Sequence, residues 1–278
     1  MIKAKKAHDE IAEYYSRRVL KEWKRLQSDP TNSLEFSTTM YFIDKFLPKR
    51  GLVLDGGSGP GKYTVELTKR GNTVIALDPV EKSLRFLRKA VEMHGAAGRL
   101  KGVVNGRLED LSRFKDNTFD GVISLGGPMS HIMDERLRKR AAAEILRVAK
   151  PRARIFVSVM SRMSMIDGFV TDFQKDLDSP YSKAWVKTGD YFGGYGFTAF
   201  HGFLPGELSD LFDAKTFKKI TMVGIEGFGS RSEKKLARLQ KNKSRWKGWL
   251  KMHLETAEEP SIIGVSEHIM LIGEKKAH

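Results

Sequence analysis

LVLDGGSGPGKYTVELTKRG, residues 52–71, is the stretch on which the reading of this chain turns. A short apolar run ends in Asp55, glycine recurs at 57, 59 and 61, and a helical pattern begins at once. A strand that turns directly into a helix, and lets a ligand approach its backbone, needs residues without a Cβ, so this loop is expected to cradle a ligand. Seventeen residues beyond Gly61, at the end of the next apolar run TVIALD, stands Asp78. That is close to the separation of about 20 at which an acid reaches a ribose diol in nucleotide-binding folds. A dinucleotide fingerprint would place a third glycine at Lys62, and a phosphate loop would place Ser or Thr at Tyr63, so NAD binding and ATP hydrolysis are both disfavoured.

Outward from this loop the pattern alternates. Strands are expected over 52–55, 73–77, 101–105, 119–125 and 154–160, with helices over 61–70, 80–94 and 134–149. Strands separated by helices imply right-handed crossovers, hence an α/β, doubly wound, mostly parallel sheet with helices on both faces. Before it, apolar residues at helical spacing (Ile11, Tyr14, Tyr15, Val19, Trp23) predict one helix that stops near Pro30, and a second runs from Ser33 to Phe46. After it, Met163 to His201 is rich in Gly and aromatics and reads as an insertion over the carboxyl edge of the sheet. A short helix over 204–212, a strand over 218–225, a long basic helix over 232–254 and a last strand over 268–273 follow. The domain reading is therefore an N-terminal helical cap (1–48), a ligand-binding core (49–160), a lid insertion (161–214), and C-terminal strands of the core sheet with the basic helix inserted (215–278).

Composition limits the chemistry. Without cysteine there is no disulfide scaffold, thiolate metal site or thiol nucleophile, and no metal ligand set is read from the remaining residues. No apolar stretch approaches the length of a membrane span, and the charged start gives a cytoplasmic expectation. A formal net charge of +15 favours anionic partners without choosing among them.

D-x-G-x-G-x-G after the first strand, an acid ending the second, and LEDLSRFKDNTFDGVISLGG (108–127) together resemble the class I S-adenosylmethionine-dependent methyltransferases over residues 50–160. The flanks EYYSRRVLKEWKRL, SLGGPMSHI and GFTAFHGFLPGEL resemble a group of methyltransferase-like proteins. The resemblance implies a seven-stranded Rossmann-like sheet and S-adenosyl-L-methionine as cofactor, with S-adenosyl-L-homocysteine as product. It further implies that Gly57, Gly59 and Gly61 wrap the methionine part with Asp55 near its amino group. Asp78 would take both ribose hydroxyls, Glu109 the adenine amino group beside the Leu108 N–H, and the Leu125 carbonyl the methionine end, while Asp110 points away. Arg107 departs from the aspartate many members carry there. Tyr15 resembles an aromatic that closes over the methionine, and reads equally as a core-facing residue of an amphipathic helix.

Methyl transfer depends mainly on holding the nucleophile in line and keeping water out. His131, directly after the fourth strand, is the expected base or substrate contact, against a plain reading as a helix-start histidine bonded to backbone. Tyr195, His201 and Glu207 are candidate substrate contacts, although Glu207 would also serve as a first-turn helix cap. A small-molecule O or N acceptor under a lid of Phe192, Tyr195, Phe197, Phe200 and Phe203 is the first reading. The alternatives are RNA methylation, using the nine Lys/Arg and two Trp of residues 231–255, and a non-catalytic cofactor-binding adaptor.

Overall fold

The computed structural model describes residues 2–171, 174–193 and 197–277. Three helices come first: α1 (Ile2–Ser16), α2 (Val19–Arg25) and α3 (Pro30–Phe46). The chain then alternates through β1 (Leu52–Gly56), α4 (Lys62–Lys69), β2 (Thr73–Asp78), α5 (Glu81–Met93), β3 (Leu100–Asn105), β4 (Phe119–Ser124), α6 (Glu135–Val148) and β5 (Ala149–Met160). The insertion holds α7 (Ser164–Thr171), α8 (Pro180–Thr188), the two-residue strands β6 (Asp190–Tyr191) and β7 (Phe200–His201), and α9 (Pro205–Asp210). The C-terminal part contains β8 (Phe217–Gly224), α10 (Glu233–Gln240), α11 (Lys243–Thr256), α12 (Pro260–Val265) and β9 (His268–Lys275).

The large sheet has the order β3-β2-β1-β4-β5-β9-β8, with β9 antiparallel to both of its neighbours and the other pairs parallel. Alternate residues of each strand face opposite layers. Leu54, Val122, Ile155 and Leu271 pack with Ala141, Ala142 and Ile145 of α6, while Val53, Ile123, Phe156 and Met270 pack with Phe42 and Ile43 of α3. Strand order reverses between β1 and β4, and the crevice at such a reversal, outside the carboxyl ends of the strands, is where open α/β sheets bind ligands.

Three expectations are corrected. The opening helix breaks after Ser16, and α3 begins at Pro30 because the Asp29 side chain accepts from the Asn32 N–H and caps it. The long basic helix is two helices. The chain turns at Lys241 and Asn242, where the Asn242 side chain caps α11 by accepting from the Arg245 N–H. β5 starts at Ala149, five residues before the expected start, with a register irregularity against β4. The short helix α12 had no expectation at all.

Among the described residues no helix is long and apolar enough to cross a membrane.

Candidate active site

The glycine loop is pinned to the edge of β2. The Gly57 and Ser58 N–H groups both donate to the Leu77 carbonyl, at 2.7 and 3.0 Å, and the Gly59 N–H donates to Asp78 Oδ2 at 2.9 Å. Gly57 has a φ of +80°, and a Cβ there would stand 2.3 Å from Pro128 Cγ, so the loop after β4 packs where a side chain would be. Gly59, with φ +53°, has no atom within 4 Å of its Cβ position and leaves its side of the loop bare toward the cavity. Gly61 differs from expectation. Its missing Cβ makes room for Leu87 of α5, which would lie at 2.4 Å, and it stands apart from the cavity wall.

That cavity, about 360 Å³, runs along the carboxyl edge of the sheet. At one end it is lined by Gly57, Ser58, Gly59, Asp78, Val80, Leu108 and Glu109; Leu125, Gly126 and Pro128 come next, and at the other end stand Met160, Ser161, Glu267 and His268. Asp78 is buried, and its other oxygen accepts from the Val80 N–H at 2.8 Å. Burial pushes its carboxyl up to about 6, against the two backbone donors. Asp55 does not line the cavity. It lies fully buried behind the loop, takes the Thr64 hydroxyl at 2.5 Å, and is pushed up to about 7 by burial. Its place is thus beneath α4, as the anchor of that helix's first turn. Asp110 is exposed and accepts from the Ser112 N–H, away from the site as expected.

Tyr15 and His131, from segments 116 residues apart, meet over the cavity: the Tyr15 hydroxyl lies 2.7 Å from His131 Nε2. His131 Nδ1 lies 2.9 Å from the Ala199 carbonyl, which can only accept, so Nδ1 carries the proton and Nε2 accepts from the Tyr15 O–H. Burial pushes His131 down to about 4, and it is neutral at pH 7. Both ring nitrogens are therefore engaged, which leaves His131 no lone pair for a substrate proton in this arrangement.

His201 and Glu207 stand outside the cavity lining. Glu207 chelates the buried Arg162 at 2.5 and 2.7 Å and caps the Leu204 N–H at 2.9 Å, while His201 Nδ1 pairs with Asp190 at 2.7 Å. Both are engaged within the insertion, away from the cavity lining. Of the aromatic lid, Phe197 and Phe200 line the cavity, Phe203 belongs to the main core, and Phe192 is exposed. Tyr195 lies outside the described residues. Of residues 231–255 only Arg231 reaches the cavity, so the basic helix pair does not wall it.

Sequence reasoning missed a buried charge network at the far end. Arg25 of α2 chelates Glu35 of α3, with one contact at 3.0 Å, and also meets Glu22 at 3.3 Å and Asn32 at 3.2 Å. His268 Nδ1 pairs with Glu226 at 2.7 Å, and the other Glu226 oxygen takes the His268 N–H at 2.8 Å. Glu35, Glu226 and His268 bring their ligand atoms within 4.8 Å of one another, with both carboxylates already engaged by Arg25 and His268. The one available signal was Glu35 itself, an acid inside the apolar run of α3.

This network should contribute an alkaline limb to the stability. Burial opposes the charge on His268, but Glu226 and Glu35 more than compensate and raise it from 6.5 to about 9. A raised folded value means the contribution is complete below 6.5 and disappears as pH rises through 9. At lower pH, His131 and His253, both pushed down to about 4 by burial, favour the fold as pH rises, whereas Asp55 and Asp78 oppose this over much the same range. Thermal unfolding should therefore show a loss of about 2 kcal/mol between pH 7 and 9. His268→Gln should flatten that limb; an unchanged slope would exclude His268 as its source.

Residues 53–152 match the family model of a methyltransferase domain. A glycine/sarcosine/dimethylglycine N-methyltransferase of Actinopolyspora halophila is 30% identical over 131 residues, 46% of this chain and 22% of that protein. The chain spans 22 to 47% of the length of the first curated relatives it matches. A solved SAM-dependent methyltransferase of Methanosarcina mazei superposes with a TM-score of 0.60 at 18% identity, covering 85% of this chain and 98% of its own. A Burkholderia thailandensis 1,6-didemethyltoxoflavin N1-methyltransferase, solved with bound 1,6-didemethyltoxoflavin and S-adenosylhomocysteine, gives a TM-score of 0.59 at 14% identity over 97% and 89% of the two chains. The matched domain, set on this sheet order around a glycine loop and Asp78, makes residues 53–152 similar to the S-adenosylmethionine-dependent methyltransferases.

Proposed function

We propose that this protein transfers a methyl group from S-adenosylmethionine to a nitrogen or oxygen of a small molecule by in-line displacement. The observation that carries the reading is the pairing of a bare glycine edge at Gly59 with a buried, backbone-held Asp78, in a cavity that continues past Leu125 to Tyr15 and His131. The residues suit the cofactor. The buried Ser58 hydroxyl has no hydrogen-bond partner among the described residues, and Asp78 spends one backbone N–H on each oxygen, so both can accept more. Asp78 would hold the ribose hydroxyls, Glu109 and Leu108 the adenine, and Gly57, Gly59 and the Leu125 carbonyl the methionine end. Arg25, 3.5 Å from the Cβ position of Gly126, joins that end.

The bound cofactor supplies a methyl group already activated by its sulfonium, so the protein's part is orientation and exclusion of water. Tyr15 and His131 hold the cap helix against the loop after β4 and close the cavity over the reacting centre. The assigned role of His131 is therefore positioning. Phe197 and Phe200, from the 161–214 insertion, give the acceptor an apolar wall, and that insertion is read as the lid.

Calorimetry with S-adenosylmethionine and S-adenosylhomocysteine tests the reading, followed by methyl-labelled cofactor offered to a small-metabolite extract and, separately, to total RNA. Heat with both compounds and label confined to the metabolite fraction are expected. No heat with either, beside tight binding of a nicotinamide nucleotide, would remove the assignment.

A further inference from the structure

Strand order places the two ends of the cavity far apart. Asp78 ends β2, whereas His268 opens β9 directly after Glu267, four strands along the order β2-β1-β4-β5-β9, or about 19 Å at the usual interstrand spacing. A cofactor seated at Asp78 and reaching β4 leaves the β5–β9 end for the acceptor. That end is unusually acidic. Glu22 and Glu267 line it, Glu35 and Glu226 stand behind it, and the cations among them are Arg25 and His268. Arg231 also lines the cavity, with its guanidinium 3.6 Å from Asp167.

Glu22 and Glu35 share Arg25, and Glu226 holds His268 through both oxygens. Glu267 is left with one side-chain hydrogen bond, the Arg231 N–H on Oε1 at 2.8 Å, and makes no ion pair among the described residues. Arg231 adopts a φ of 48° to deliver that N–H, a backbone state that costs a non-glycine residue about 1 kcal/mol or more. Arg231 and His268 act on Glu267 from a distance without an ion-pair contact, so a ligand cation that reached this half-buried carboxylate would add the close partner it lacks.

We infer that Glu267 receives the positively charged nitrogen of the acceptor, so that the substrate of the proposed methyl transfer is an amine that arrives as an ammonium ion. This rests on the methyltransferase reading of the same cavity. The ammonium passes one N–H proton to Glu267, which becomes the neutral acid, and the freed lone pair forms the new N–CH3 bond. The C–S bond breaks with its electron pair going to sulfur, and the positive charge moves from sulfur to the methylated nitrogen. Charge and protons balance without a further reactant. Glu267 supplies the proton acceptor that His131, with both ring nitrogens engaged, does not. Burial and the charge of Glu226 hold the Glu267 carboxyl above the usual carboxylate range, with Arg231 and His268 opposing, which suits it to exchange a proton with an amine.

The test is titration calorimetry of the protein loaded with S-adenosylhomocysteine, using methylamine, sarcosine and benzylamine against methanol, glycolate and benzyl alcohol at neutral pH and fixed ionic strength. At least one amine should bind about tenfold or more tighter than its hydroxyl counterpart. Glu267→Gln should abolish that preference while retaining S-adenosylhomocysteine affinity and the thermal midpoint. Glu233→Gln, the same charge change on the exposed start of α10, should keep the preference. An amine preference absent from the wild-type protein, or surviving in Glu267→Gln, overturns the inference. Absence of heat with S-adenosylhomocysteine instead marks failure of the methyltransferase reading.

Discussion

Arg25→Ala is expected to lower the stability of the fold by about 3 to 5 kcal/mol, the usual result of deleting one partner of a buried ion pair. Glu35 is 2% exposed on α3, and burial by itself would drive its carboxyl toward the neutral acid. Arg25 and, less strongly, His268 reverse that and hold Glu35 below the usual carboxylate range. Removing the guanidinium strips Glu35 of two charge-assisted hydrogen bonds and releases Glu22 and Asn32 as well. Urea unfolding measures the loss. The double variant Arg25→Met/Glu35→Met should recover most of it, because the penalty lies in the orphaned charge and not in missing contacts. A single variant that costs under about 1 kcal/mol would mean Glu35 is solvated or repaired by His268.

Asp78→Ala should weaken S-adenosylhomocysteine binding by about 1 to 3 kcal/mol, roughly five- to 150-fold. Two effects combine. The carboxylate that would accept from the ribose diol disappears, and the Gly59 and Val80 N–H groups lose the acceptor that shapes the loop. Asp78→Asn separates them, since it keeps the side-chain shape and one acceptor oxygen. Because burial raises this carboxyl to about 6, wild-type affinity should fall as pH drops below that value, where the acid becomes protonated. The Asn variant should lack this acid limb. Calorimetry across pH reads both outcomes, and an affinity unchanged in Asp78→Ala would take the residue out of the site.

The core was legible because its signals are local. A strand ending in spaced glycines and a second strand ending in an acid single out Gly57, Gly59 and Asp78 before any packing is known, and the structure brings the three to one cavity. Leu108, Glu109 and Leu125 came from the family resemblance, and they line the same cavity. Residues whose meaning depends on packing were misplaced. Asp55 and Gly61 belong to the loop in sequence, yet one faces Thr64 and the other Leu87. His201 and Glu207 look available until Asp190 and Arg162 appear beside them, 11 and 45 residues away. The β5–β9 end of the cavity was the least readable. It joins α2, α3 and the start of β9, so nothing in the chain order marks Arg25, Glu35, Glu226 and Glu267 as neighbours until the fold collects them.

The contact between Tyr15, His131 and Ala199 joins three distant segments through groups that carry no charge at pH 7. A clasp of this kind has nothing for dissolved ions to screen, and it does not titrate near neutrality. The strength of this three-way junction should therefore be the same in dilute and concentrated electrolyte, unlike that of the Arg25–Glu35 pair.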